Sequence, residues 1–196
     1  MAKYQQRKLN GPWKNGYALD LHTISSVMIG HNEYGHPEFD TTYSEVGKLM
    51  HRLKYRSDKT ALPELVDTAV SFIRSWRVDL SAIVPVPPTR AYRTFQPVLA
   101  LAAGIANTVK VPMIKSAIRK KKEMPELKNI YDPEERKRLL MGAFEVNRNA
   151  VNGQRILLVD DLYRSGATMN AITHVLLASG AAEVYAFAFT QTRTKK

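Results

Sequence analysis

Apolar positions from Tyr43 onward fall into two stripes: Val46, Leu49, Met50 and Leu53, then Leu62, Leu65, Val66, Ala69, Val70, Ile73 and Trp76. Spacings of three and four residues put each set on one face of a helix, and Ser57-Asp58 separates the two. Such stripes are packing surfaces rather than a ligand box. Ala82 to Val86 is a short apolar run punctuated by Pro85, Pro87 and Pro88. Proline cannot donate to a ladder, so the run predicts a strand with a rigid turn at its C-terminal end. Phe95 to Val109 carries Val98, Leu99, Ala102, Ile105 and Ala106 at helical spacing, and Val111 to Ile118 predicts the next strand.

Arg119 to Tyr131 is basic, interrupted by Pro125 and without an apolar face, which predicts a long mobile loop. Asp132-Pro133-Glu134-Glu135 has the order of a helix start, with Asp as cap, Pro at the first position and Glu three residues after the cap. Gly142 to Asn147 alternates like a strand, Asn152-Gly153 signals a turn, and Arg155 to Val159 is an aliphatic run suited to a strand buried on both faces. Asp160-Asp161 ends that run. Thr168 to Ser179 predicts a helix through Ile172, Val175, Leu176 and Leu177, capped by Gly180, and Val184 to Phe189 predicts another buried strand. Strand, helix and strand in repetition imply an α/β fold, a parallel sheet flanked by helices. Residues 1–42 show weak periodicity and many polar, Gly and aromatic residues, so they are expected as irregular or short-stranded structure, a small N-terminal hood on an α/β domain of residues 43–196.

Composition adds three limits. A chain of 196 residues, 44% hydrophobic, supports one well-filled domain with a cap. The absence of cysteine excludes disulfides, a thiolate nucleophile and a Cys-based zinc site, which fits a reducing, cytoplasmic setting. The first twenty residues lack the apolar stretch of a signal peptide, and no run approaches the ~20 apolar residues that span a bilayer, so no membrane partner is expected. His22, His31, His36 and His51 lack accompanying carboxylate spacing and are expected on the surface or in hydrogen bonds rather than on a metal. The formal net charge of +11 points to polyanionic partners: a phosphate-rich small molecule, nucleic acid or an acidic protein surface. Much of the excess sits in Lys3 to Lys14, Arg119 to Lys122 and Arg136 to Arg138.

The stretch VDDLYRSGAT, Val159 to Thr168, carries the chemistry. It lies at the C-terminal end of a parallel strand, where open sheets bind ligands. The first N–H groups of the helix that follows have no partner within the helix and favour a dianionic phosphate. Gly166 permits close backbone approach, and Ser165 and Thr168 offer hydroxyls. Asp160 and Asp161 stand ready to accept vicinal sugar hydroxyls. Together these make a ribose 5-phosphate site. The alternative is structural: Ser165 or Thr168 as a helix N-cap and the acids as a polar strand end.

These residues resemble a family. ILLVDDLYRSGAT resembles the phosphoribosyl pyrophosphate (PRPP) motif of type I phosphoribosyltransferases, and LMHRLKYRSD, IVPVPPTR and EERKRLLMGAFEV resemble, in order, segments of the ComF-like branch. The likeness runs from Tyr43 to Thr190. It implies the type I phosphoribosyltransferase fold with an N-terminal hood. It implies PRPP and Mg2+ as substrate and metal, with Asp160 and Asp161 holding the ribose hydroxyls directly or through magnesium waters. Arg164, Ser165, Gly166, Ala167 and Thr168 would then bind the 5-phosphate, and Pro87, Pro88, Thr89 and Arg90 would form the pyrophosphate loop. The basic loop from Arg119 to Lys128 would be a lid whose cations, Arg119 and Lys121 among them, stabilise charge on departing pyrophosphate. The resemblance also implies a homodimer or a larger complex.

Two features depart from that pattern. Where purine-salvage members place an aspartate to handle the base proton stands Arg164, permanently charged and unable to act as a base, which argues against hypoxanthine or guanine salvage. The cysteine-rich zinc module of many ComF proteins is replaced by residues 1–42. A second function class therefore stands beside the transferase: a non-catalytic module that senses PRPP or a nucleotide and binds nucleic acid or protein, in DNA uptake or in retron-type phage defence.

Overall fold

Alternation along two buried strands decides how the protein is layered. The computed structural model describes residues 1–88, 94–121 and 142–193. In strand β8 (Arg155–Tyr163), Leu157 and Val159 face one core and Ile156 and Leu158 the other; in β9 (Glu183–Gln191), Tyr185, Phe187 and Phe189 oppose Val184, Ala186 and Ala188. Successive side chains point to opposite faces of a strand, so both faces of the sheet must be covered.

Strands β1 (Arg7–Lys8), β2 (Asn15–Leu21) and β5 (Ala82–Pro85) complete a five-stranded sheet of order β1-β2-β9-β8-β5. All neighbours but β1 and β2 are parallel. Helices α1 (Glu45–Tyr55), α2 (Ala61–Trp76) and α3 (Pro97–Val109) cover the aromatic face of β9; α1 and α2 do so with the stripes predicted for them, whereas α3 uses Leu101, Ala102, Ile105 and Ala106 and leaves Leu99 half-buried. The other face, lined by the alanines of β9, takes short α4 (Arg148–Val151), α5 (Ala167–Ala178) and the pair β6 (Ile118–Lys120) and β7 (Phe144–Val146). Strands β3 (Thr23–His31) and β4 (Pro37–Tyr43) form a separate antiparallel hairpin.

Four expectations change. Residues 1–42 do not simply overlie the core: β2 lies inside the main sheet, parallel to β9, with Ala18 and Leu19 fully buried. Small residues on a strand buried on both faces hide its period. Val111 to Ile118 is not a strand of that sheet; only Met113 bridges Ile83, and pairing resumes at Ile118 with β7. The acidic pair does not end β8, because Leu162 and Tyr163 still pair with Thr190 and Gln191. Pro85 lies within β5, on the outermost strand, where its missing N–H breaks no ladder bond. The expected helix start at 132–135, and Thr89 and Arg90, lie outside the described residues.

Phe187 sits at the centre of the aromatic face, fully buried, with ring centroids 6.0 Å from Phe72 and 5.3 Å from Phe189. Phe187→Ala is expected to destabilise the fold by about 3–5 kcal/mol, measured as a lowered urea midpoint with an unchanged slope.

Candidate functional site

Helix α1 is fixed at its N-terminus by Ser44. The Ser44 hydroxyl donates to Leu21 O (2.5 Å) at the end of β2 and accepts from Gly47 N (2.9 Å), a side-chain cap that relieves one orphan donor of the first turn. Ten residues on, the last turn of α1 brings Lys54 to the C-terminal end of β8. There Lys54 Nζ donates to Asp161 Oδ2 at 2.7 Å, and both side chains are largely shielded from water, at 24% and 18% exposure.

The neighbouring acid differs. Asp160 Oδ1 accepts from the Asp161 backbone N–H at 2.8 Å. Burial first, and the Asp161 charge second, push its carboxyl up to about 7 from an ordinary 3.8, although that backbone donor and Lys54 pull the other way. Removing a carboxylate from water disfavours its charged form. Asp161 is held from behind as well: Thr190 Oγ1 donates to its carbonyl at 3.1 Å, and His22 Nδ1 lies 3.2 Å from that hydroxyl. Burial and the nearby Lys54 and His51 lower the His22 pKa.

Past the acids, Tyr163 stacks edge-on against Trp13 (centroids 6.3 Å apart), and its hydroxyl donates to Asn10 O at 3.4 Å. The chain then turns through Gly166 at φ 76, a left-handed conformation, over the Tyr163 ring; a Cβ there would lie 2.8 Å from Cζ. Gly166 is itself the N-cap of α5 and supplies no side chain to the first turn. Ser165 and Thr168 are exposed and neither caps the helix, so the structural alternative for these hydroxyls does not hold. Helix α5 presents its first turn, and the positive end of its dipole, without a side-chain cap.

These parts surround a cleft of about 960 Å³. Asp160, Asp161 and the continuous turn from Arg164 to Thr168 line it, facing Pro87 and Pro88 from the end of β5, with Lys54 and Tyr55 on a third side. The arrangement offers carboxylate acceptors beside an anion cradle, with a lysine between solvent and acid. Two carboxylates suit a hard cation that keeps waters and shares its shell with substrate phosphates. Among the described residues no group of three or more His, Cys, Asp or Glu could hold a metal alone.

The structure does not bring Arg119 and Lys121 to the cleft. Arg119 is on β6 and lines a separate depression with Met113 to Ser116; Lys121 N donates to Ala143 O at 2.9 Å. Lys54, Tyr55, Tyr163 and Thr192 line the cleft without having been singled out as site residues in the sequence. For the first two a signal existed, since both lie in the LMHRLKYRSD stretch that carried part of the resemblance. Among the described residues no helix is long and apolar enough to cross a membrane.

The comparisons with known proteins agree with this geometry. The model of the phosphoribosyl transferase domain matches residues 82–196. Among solved structures, an adenine phosphoribosyl transferase from Trypanosoma brucei, in complex with AMP, pyrophosphate and ribose-5-phosphate, is similar at a TM-score of 0.50 and 15% identity, over 94% of this chain and 74% of that one. The adenine phosphoribosyltransferase of Saccharomyces cerevisiae gives a TM-score of 0.48 and 14% identity over 84% and 82% of the two chains. Glutamine PRPP amidotransferase from B. subtilis gives 0.46 and 18%, over 76% of this chain, which spans only 28% of that one. A search of curated proteins returned no match. The domain match begins at β5 and takes in the acidic end of β8 and the glycine turn after it, so with its type I phosphoribosyltransferase fold the chain belongs to the phosphoribosyl transferase domain family.

Proposed function

We propose that the cleft binds PRPP and that the protein is a ComF-like phosphoribosyltransferase acting on an acceptor still to be identified. The observation that carries this reading is the juxtaposition, at the end of β8, of Asp160 and Asp161 with the uncapped first turn of α5. In it the 5-phosphate lies on the turn Arg164–Thr168, where backbone N–H groups and the Ser165 and Thr168 hydroxyls converge. The carboxylates accept the ribose hydroxyls, and Pro87 and Pro88 border the pyrophosphate. Asp160 and Asp161 would hold Mg2+ with its waters, and the ion would supply positive charge against the growing charge of leaving pyrophosphate. The catalytic role expected of Arg119 and Lys121 finds no support in their placement, on β6 and just after it, away from the residues that line the cleft.

Lys54 belongs to this reading. It neutralises Asp161 and lowers the cost of a second negative charge on Asp160. A ligand that brings its own cation competes with it.

A second reading, a non-catalytic sensor that also binds nucleic acid, is favoured by Arg164 on the cleft wall and by 29 Lys and Arg against 18 Asp and Glu. Binding to a phosphate backbone weakens steeply with added salt, by a factor set by the number of phosphates neutralised. A closed ribose-phosphate site responds less.

Titration calorimetry separates the two. PRPP with Mg2+ is expected to bind the wild type, and Asp160→Asn/Asp161→Asn to weaken binding by roughly 100-fold or more, about 3 kcal/mol, without loss of fold. Pyrophosphate release with a screened acceptor then marks a transferase, whereas salt-sensitive DNA binding unaffected by that variant marks the sensor. Failure of folded wild type to bind PRPP rejects the ribose-phosphate site.

The raised Asp160 carboxyl gives a pH dependence of definite sign. A cation binds the charged form, so magnesium-dependent affinity should rise between about pH 6 and 8 and flatten above. Lys54→Met removes a charge that lowers the Asp160 pKa, so the midpoint of that rise should move upward. In Asp160→Asn the Asp160 component should vanish, leaving the titration of the ligand itself.

A further inference from the structure

The β3–β4 hairpin stands apart from both cores, and its strands pair only with each other. It is tied down at its root, where His22 N donates to Gln191 O at 2.8 Å and Arg193 Nη1 to Ile24 O at 3.0 Å. A two-stranded ribbon of this kind is marginal in water. Each of its outer edges is a row of backbone donors and acceptors on which a further strand can form.

The two edges are not equivalent. In β3 the register slips twice, leaving Ile24 and Ile29 as extra residues with no partner across the ladder. Bulges of this kind bend a strand, increase its twist and turn its edge away from pairing. In β4 every residue from Pro37 to Tyr43 has a partner and none is extra. The regular edge is therefore that of β4, and Glu38, Phe39 and Asp40 are exposed on it. Side chains alternate along a strand, so the two acids share one face. Phe39 stands on the other face opposite Met28, and these two are exposed by 53% and 48%.

Charge selects the occupant. From Asn15 to Gly47 the chain has Asp20, Glu33, Glu38, Asp40 and Glu45 and not one lysine or arginine, although it carries 29 in all. Among the described residues no salt bridge reaches Glu38 or Asp40. A second copy of β4 laid on this edge would set acid beside acid, and like charges opposite one another destabilise a ladder. A strand with cations on the acidic face and apolar side chains beside Phe39 meets both demands.

We propose that the free edge of β4 receives a strand from a different protein, one with Lys or Arg at alternate positions and apolar residues between them. Main-chain hydrogen bonds would hold such a strand, and the alternation would fix its register. The inference is independent of what the cleft binds.

Calorimetric titration and amide hydrogen exchange of the full chain test it with three short peptides: alternating Lys and Val, a block isomer of the same composition, and alternating Glu and Val. The alternating Lys-Val peptide should bind wild type about tenfold or more tighter than its block isomer and slow amide exchange in β4. Glu38→Lys/Asp40→Lys, made at exposed positions, should lose that peptide and gain the Glu-Val one. The comparison of the two Lys-Val isomers uses wild type alone, so it decides the matter even if the variant misfolds. Absence of binding, equal binding of the two isomers, or protection confined to elements other than β4 overturns the proposal. So does a folded charge-reversed chain that takes the alternating Lys-Val peptide as well as wild type does.

Discussion

Strand β8 has no free side. It hydrogen-bonds to β9 along one edge and β5 along the other, and its four central aliphatic residues are fully buried on both faces. A strand so enclosed can meet water only where it leaves the sheet. The acids of this strand stand at that exit, and the parts nearby are arranged around it: β5 stops in prolines, the chain turns on a left-handed glycine, and α1 sends in a lysine. The acids tolerate the exit because they are not left alone. One is paired with Lys54, and burial raises the pKa of the other so that it gives up its charge more readily than an ordinary carboxylate.

The same enclosure explains how the two faces of β9 differ. Phenylalanines and a tyrosine fill the wide space under three helices, and alanines let α5 approach the other side closely. Packing density demands this matching of volumes. Because α5 is drawn close to the sheet, its N-terminus falls beside the end of β8 and its first-turn donors share one cleft with the carboxylates.

Much of this was legible in the sequence where one physical demand acted alone. The uninterrupted Ile156 to Val159 run and the stripes of α1 and α2 each have a single explanation, and each was found where expected. Where two demands competed, the sequence misled. Thr190 looks like the polar end of a strand, yet it is buried with its hydroxyl on Asp161, so the ladder runs on past the acids. Gly16 and Ala18 look like loop residues, yet they pair with alanines of β9 in the main sheet. Lys54 is an ordinary helix lysine in one dimension; only the tertiary fold brings it to an acid 107 positions away. Sequence spacing holds no signal for such a meeting.

Ser44 joins parts of the molecule that lie far apart in the chain. It is the single residue between β4 and the first residue of α1, and its hydroxyl clasps both β2 and the helix start. Helix α1 is a stiff rod of roughly 16 Å by its rise per residue, with the clasp at one end and Lys54 at the other. A rod seated at one end and packed along its length has its far end fixed as well. The serine hydroxyl that seats α1 on the end of β2 therefore also sets where the lysine stands against the acids of the cleft.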